Sequence, residues 1–202
     1  DWICEKLVDR GVNVLRIGNP TRVNDKMLSF TYERRFEGHP AYSELWSIRK
    51  AMREMGGKHR GSYEERESAR NRMSRLRDRA TQLEIQINAD LFDNAHVIAS
   101  TLVSSNHRIL NGRHFGTLFI DEAAQALEAA CWIAIRKADR VVLAGDHCQL
   151  PPTIKCYEAA RGGLECTLME RVVANKPSTV SLLKVQYRMH EDIMKFPSQW
   201  FY

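Results

Sequence analysis

Two carboxylates in tandem close the apolar run Leu118-Phe119-Ile120-Asp121-Glu122. A strand of this kind in an α/β sheet delivers its last residues to the carboxyl edge, where such folds bind ligands. A hard carboxylate there suits a divalent cation such as Mg²⁺, directly or through water. A second acid beside it is placed to orient or deprotonate an attacking water. The pair also has a structural use. Residues 123–135 read as a helix, and an acid at its N-terminus would favour the helix dipole.

A second apolar run, Val141-Val142-Leu143-Ala144, ends in Gly145-Asp146 and passes into His147-Cys148-Gln149-Leu150-Pro151-Pro152-Thr153. The two prolines stiffen the backbone after Gln149. A neutral amide on a stiff loop can donate to a terminal phosphate oxygen and lose that bond after hydrolysis. Gly-Asp and Pro-Pro also suit an ordinary loop between a strand and a helix. The third cluster is Val185-Gln186-Tyr187-Arg188-Met189-His190, read as the end of a strand and the start of a helix. Arg188 is a candidate for stabilising charge in phosphoryl transfer, and Tyr187 for stacking on a base. A buried Tyr187, with Arg188 paired to Glu191 or Asp192, is the structural alternative.

Positioning these residues requires a scaffold, and the chain supplies an alternating one. Runs at 12–17, 97–101, 118–121, 141–145 and 180–185 are largely apolar, as strands buried on both faces of a parallel sheet are. Helical patterns fall at 1–10, 123–135, 164–174 and 189–200. This alternation predicts an α/β domain with a parallel sheet.

Residues 24–93 interrupt the rhythm. Ala41, Leu45, Ile48, Met52 and Met55 recur at helical spacing, as do Ala69, Met73, Leu76, Ala80, Leu83 and Ile87. Gly56, Gly57 and Gly61 lie between them, and Ser62 with Glu65 forms a capping box. Two seams joined by a glycine-rich turn predict an antiparallel helical hairpin, inserted between the first and second strands. The expected division is therefore 1–23 with 94–202 as one domain and 24–93 as the insertion. Residues 49–79 hold eleven Lys or Arg and five Asp or Glu. This run reads either as a solvated face or as a surface that tracks phosphates. No aromatic side chain interleaves with the arginines, which argues against base stacking there.

Composition sets outer bounds. The 202 residues are 44% hydrophobic and 27% charged, with a net charge of +5 and a pI near 9.0, as in ordinary globular domains. No apolar run approaches the ~20 residues of a membrane span. The five cysteines form no CxxC pair and are odd in number, so neither a disulfide framework nor a zinc site is expected. His107, His114 and His147 fall at no metal-ligand spacing, and Cys148 has no base at a telling one. Cys131, Trp46 and Trp132 read as packing residues, and Trp200, Phe201 and Tyr202 as packing or covered surface. The chain opens without Met on a helix already under way and stops just after an amphipathic run. The expectation is a piece of a longer protein.

Taken in order, Asp-Glu-Ala-Ala-Gln at 121–125, Gly-Asp-His-Cys-Gln-Leu-Pro-Pro at 145–152 and Gln-Tyr-Arg-Met-His at 186–190 closely resemble the second, third and fourth motifs of superfamily 1 helicases. The nearest likeness is to the 5′-to-3′ branch of nonsense-mediated-decay helicase, senataxin and immunoglobulin-mu-binding type. The resemblance covers nearly all of the chain and implies a RecA-like P-loop NTPase sheet, here incomplete, with a helical insertion. It implies ATP and Mg²⁺ as cofactors. Asp121, in the Walker B position, would hold Mg²⁺, and Glu122 would be the base. Gln149 would sense the γ-phosphate, Arg188 would contact it, and Tyr187 would stack on adenine. Ser100 and Thr101 would touch the nucleic-acid backbone. The implied partners are single-stranded DNA or RNA and a second RecA-like domain of the parent chain, in the cytoplasm or nucleus. No Gly-x-x-x-x-Gly-Lys-[Ser/Thr] occurs in these residues; that loop is expected upstream of Asp1, and the piece alone is expected to be inactive. A different class also fits the basic run: a non-catalytic module that binds nucleic acid or protein.

Overall fold

In the computed structural model, residues 1–56 and 62–202 are described, and they divide into two compact units, Asp1–Ser104 and Ser105–Tyr202. Both are mixed α/β, and each holds a two-stranded parallel sheet.

In the N-terminal unit, β1 (Val14–Ile17) pairs with β2 (Val97–Ser100), from Val14 opposite Val97 to Ile17 opposite Ser100. Helices α1 (Trp2–Val8) and α2 (Asp25–Leu28) cover this pair. Cys4, Val14 and Met27 are buried together, with Leu7, Val8, Phe30, Val97 and Ala99 packed around them. Asn24 caps α2 by accepting from the Met27 amide at 3.0 Å, and so satisfies a donor the helix leaves free.

After α3 (Tyr32–Glu37) come α4 (Tyr42–Met55) and α5 (Tyr63–Asp93). The expected capping box opens α5: Ser62 Oγ accepts from the Glu65 amide at 3.3 Å, and Glu65 accepts from the Ser62 amide at 2.8 Å. Leu45 of α4 packs among Ala80, Leu83 and Ile87 of α5, all buried. His39, just before α4, lies 3.2 Å from Asp90, and Met55 at its far end lines a cleft with Ala69 and Met73. Numbers rise along one helix as they fall along the other. Arg49–Glu84 and Arg79–Glu44 pairs, both at 2.7 Å, flank the seam. The outer part of the seam, from Met52 and Met55 to Ala69, Met73 and Leu76, is only half-buried. The glycine-rich turn expected at 57–61 lies outside the described residues.

In the C-terminal unit, β3 (Phe115–Ile120) pairs with β4 (Ala138–Leu143) from Phe115 opposite Ala138 to Ile120 opposite Leu143. One helix was expected over 123–135. Two elements form instead: a 3₁₀ turn at Ala123–Gln125, then α6 (Glu128–Ile135). The Ala123 amide donates to Ala144 O at 2.8 Å, just beyond β4, and the chain turns extended at Ala126 (φ −99°, ψ 131°) and Leu127 (φ −58°, ψ 136°), which ends the turn before α6 begins. Cys131 and Ala134 turn inward with Ala123 and Ala124, as Cys131 was expected to. Short α7 (Tyr157–Ala159) leads to α8 (Leu168–Asn175), whose own capping box joins Thr167 and Glu170. The unit ends with α9 (Glu191–Trp200).

The strand expected at 180–185 does not form. Val180, Leu182, Leu183 and Val185 are exposed. An apolar run becomes a strand only when a neighbour takes its amides and carbonyls, and no strand of the described residues pairs with it. The five-stranded sheet expected from the pattern is accordingly replaced by two separate strand pairs.

Candidate functional site

The site is built on the carboxyl ends of β3 and β4. Ala144 N donates to Ile120 O at 2.8 Å, and Ala123 N donates back to Ala144 O at 2.8 Å. These two bonds extend the ladder one step past the strands and set the position of the residues between them, Asp121 and Glu122. Gly145 completes the junction. A Cβ there would stand 3.0 Å from the amide nitrogens of both Ala123 and Ala124, so the close approach of the two loops requires glycine.

Glu122 has φ 53° and ψ 38°, and is the one residue other than glycine with positive φ among the described residues. A left-handed conformation is costly for a residue with a Cβ. Such strain is held where surrounding structure over-determines it, often at functional sites. Glu122 precedes the 3₁₀ turn, yet its side chain makes no capping bond. Both Asp121 and Glu122 are exposed, and neither carboxylate has a hydrogen-bond or ion-pair partner among the described residues. Two adjacent unpartnered carboxylates at a strand end are a donor set that fits a hard, hydrated divalent cation.

The loop after β4 is organised by Asp146, which the sequence pattern noted only as the acid of a Gly-Asp turn. Its Oδ1 accepts from the Cys148 amide at 3.0 Å and its Oδ2 from Gln149 Nε2 at 2.8 Å. The Tyr202 hydroxyl also donates to Oδ2. Burial works against ionisation of Asp146. The donors Tyr202, Gln149 and Cys148 N, with His147 nearby, outweigh it and hold the carboxyl below its usual range. The same contact, with burial, pushes Tyr202 up to about 12. Tyr202, expected to pack or to be covered, is thus a polar partner of this loop. The signal for the hub was the Asp-x-x-Gln spacing, which lets a side chain close back on its own loop.

The remaining expected residues sit elsewhere. Tyr187 is 95% exposed, not buried. Arg188 pairs with neither Glu191 nor Asp192; its amide donates to Gln186 Oε1 at 2.8 Å, which shapes a turn before α9. No hydrogen bond or ion pair among the described residues joins Arg188 to Asp121, Glu122 or Gln149. Ser100 and Thr101 close β2 in the N-terminal unit, both exposed, and Thr101 Oγ1 lies 2.9 Å from Ser104 Oγ. Trp46 and Trp132, expected inside, are half exposed; Lys50 lies over the first ring and Glu128 accepts from the second. Of the three histidines, His114 faces Asp139 at 3.4 Å and His107 caps a short turn. His147 stands beside Cys148.

Comparison with known proteins decides the family. A model described as an AAA domain matches residues 1–156, and a second of the same description matches 164–202. The chain belongs to the AAA domain family of superfamily 1 helicases. DNA-binding protein SMUBP-2 of Mesocricetus auratus is 33% identical over all of this chain, which covers 21% of that protein. An uncharacterized ATP-dependent helicase of Methanocaldococcus jannaschii is 29% identical, again over the whole chain and 36% of the relative. A regulator of nonsense transcripts 1 homolog of Arabidopsis thaliana is 35% identical, over the whole chain and 15% of the relative. The chain therefore spans about a fifth of the first relative's length. No helix of the described residues is long and apolar enough to cross a membrane.

Proposed function

We propose that this AAA domain chain is part of the first RecA-like motor domain of an ATP-dependent helicase, in which nucleotide hydrolysis drives movement along single-stranded DNA or RNA. Residues 1–23 and 94–202 would belong to the motor domain, and 24–93 would be its inserted helical hairpin. The observation that carries the reading is the pair Asp121 and Glu122, unpartnered at the end of β3 and tied by backbone bonds to the loop that bears Gln149.

ATP with Mg²⁺ supplies the phosphoanhydride whose hydrolysis drives the cycle. Asp121 would hold the metal through its carboxylate. Glu122 would accept the proton of the attacking water, its left-handed backbone fixing where that carboxylate stands. Gln149 would report on the terminal phosphate. Its side-chain N–H now lies on Asp146, which offers it a second partner when the phosphate has gone. Arg188 would contact the phosphate and Tyr187 the adenine. Both lie on an exposed segment free of competing side-chain partners among the described residues. Ser100 and Thr101 would meet the strand backbone. A phosphate-binding loop and a second RecA-like domain are required as well, so the 202 residues alone would not turn over ATP. The site of action would be cytoplasmic or nuclear.

The test uses a longer protein that carries this chain with a Gly-x-x-x-x-Gly-Lys-[Ser/Thr] loop. Turnover stimulated by single strands is expected, and Glu122→Gln should lower it by about 100-fold or more while ATP still binds. Normal hydrolysis by that variant would remove Glu122 as the base. No turnover under any condition, with oligonucleotide still bound through α5, would establish the non-catalytic module instead; the exposed arginines of α5 favour that rival.

A further inference from the structure

The loop after β4 carries a set of donors distinct from the Asp121 and Glu122 carboxylates. Asp146, His147 and Cys148 are consecutive, and one ligand atom from each lies within 4.8 Å of the others. Cys148 Sγ is 3.8 Å from His147 Nε2. Around a tetrahedral zinc ion, with Zn–S about 2.3 Å and Zn–N about 2.05 Å, two such atoms stand roughly 3.6 Å apart. The thiol and the imidazole are thus already close to the spacing of a shared ion.

The Asp146 carboxylate offers the third ligand. Gln149 and Tyr202 both donate to Oδ2, whereas Oδ1 receives only the Cys148 amide. A carboxylate oxygen accepts more than one bond, so Asp146 can take an ion while keeping these contacts, whereas the Cys148 thiol, which donates to Phe201 O at 3.6 Å, would give up that bond and its proton on binding. Hydrogen bonds of this kind from outer partners hold a ligating carboxylate in place. His147 is exposed and Cys148 only half-buried, which leaves an entry path. Thiolate, imidazole and carboxylate together select a zinc-like ion over Mg²⁺, which prefers oxygen donors alone.

We propose that Asp146, His147 and Cys148 form a binding site for a thiophilic divalent cation of zinc type, with a fourth position open to water. Its ligands are different residues from the hard-cation donors Asp121 and Glu122. Occupancy would pin the loop that bears Gln149, which directly follows the Cys148 ligand.

Cobalt(II) added to this chain tests the site, because thiolate ligation gives a charge-transfer absorption and a tetrahedral ligand field gives intense visible bands. Both are expected, and Zn²⁺ should abolish them by displacement. Cys148→Ser should remove the charge-transfer band, while Cys156→Ser and Cys166→Ser leave it intact. His147→Asn should weaken Zn²⁺ binding about tenfold or more in competition with a chromophoric chelator. Circular dichroism of each variant confirms that it remains folded. Absence of the band, or a band that survives Cys148→Ser, would overturn the proposal. None of these readouts depends on ATP turnover.

Discussion

In β1 the side chains of Val14, Leu15 and Ile17 are all buried, whereas in β3 Phe119 is 73% exposed and in β4 Val142 is partly exposed. The two strand pairs share parallel geometry but are stabilised differently. Helices α1 and α2 close over the first, and Met27 and Cys4 fill the space. The second is covered on the side of Ile120, Ala123, Ala124 and Cys131, and its carboxyl ends are joined by backbone bonds beyond the ladder. One pair is held chiefly by burial. The other holds its strand ends in register, and those ends bear the candidate acids Asp121 and Glu122.

The sharpest way to break this comparison is to truncate one residue in each pair. Leu15 is fully buried, so Leu15→Ala should cost about 2–5 kcal/mol in urea unfolding. Phe119→Ala should cost less than about 1 kcal/mol, since little burial is given up. Equal costs would mean that the open face of β3 is covered in solution. A second test stays within the C-terminal unit. Gly145→Ala forces a Cβ against two backbone nitrogens and Met169 Sδ at 3.1 Å. It should cost about 1–3 kcal/mol. Alanine at Gly116, where a Cβ meets nothing within 4 Å, should change stability by about 0.5 kcal/mol or less.

The contrast extends along α5, between its packed half and its exposed basic half. Arg79 is engaged by Glu44. Arg70, Arg72, Arg75 and Arg77 are exposed and have no ion-pair partner among the described residues. Reversing those four to Glu should weaken binding to a single-stranded oligonucleotide. The salt dependence should fall by about 0.7 in slope for each phosphate the helix no longer neutralises. Fluorescence anisotropy over a range of salt reads both, and an unchanged slope would return the face to simple solvation. The smallest expected effect is a titration. One of the six tyrosines should ionise at about 12 rather than near 10, and Tyr202→Phe should remove that component from the ultraviolet absorbance titration. The sign follows from linkage. A raised Tyr202 contributes stability below pH ~10 that disappears as pH climbs through about 12. A depressed Asp146 contributes stability above the ordinary carboxylate range that disappears as pH falls through its folded value.

Sequence alone determined the features that depend on near neighbours in the chain. The seam of Leu45 with Ala80, Leu83 and Ile87 follows from helical spacing, and the Ser62–Glu65 box from a four-residue pattern. Four strands out of five appeared where apolar runs predicted them, and the three motifs were enough to name the family before any fold was seen. Tertiary structure decided what depends on distant partners. The helix expected from 123 is interrupted by extended backbone at Ala126 and Leu127, after a turn tied to Ala144, and the run at 180–185 stays unpaired because no described strand pairs with it. The left-handed backbone of Glu122, the need for glycine at 145 and the reach of Tyr202 to Asp146 across 56 residues arise in the same way. Each depends on where a second segment stands in space, and local pattern carries no record of that.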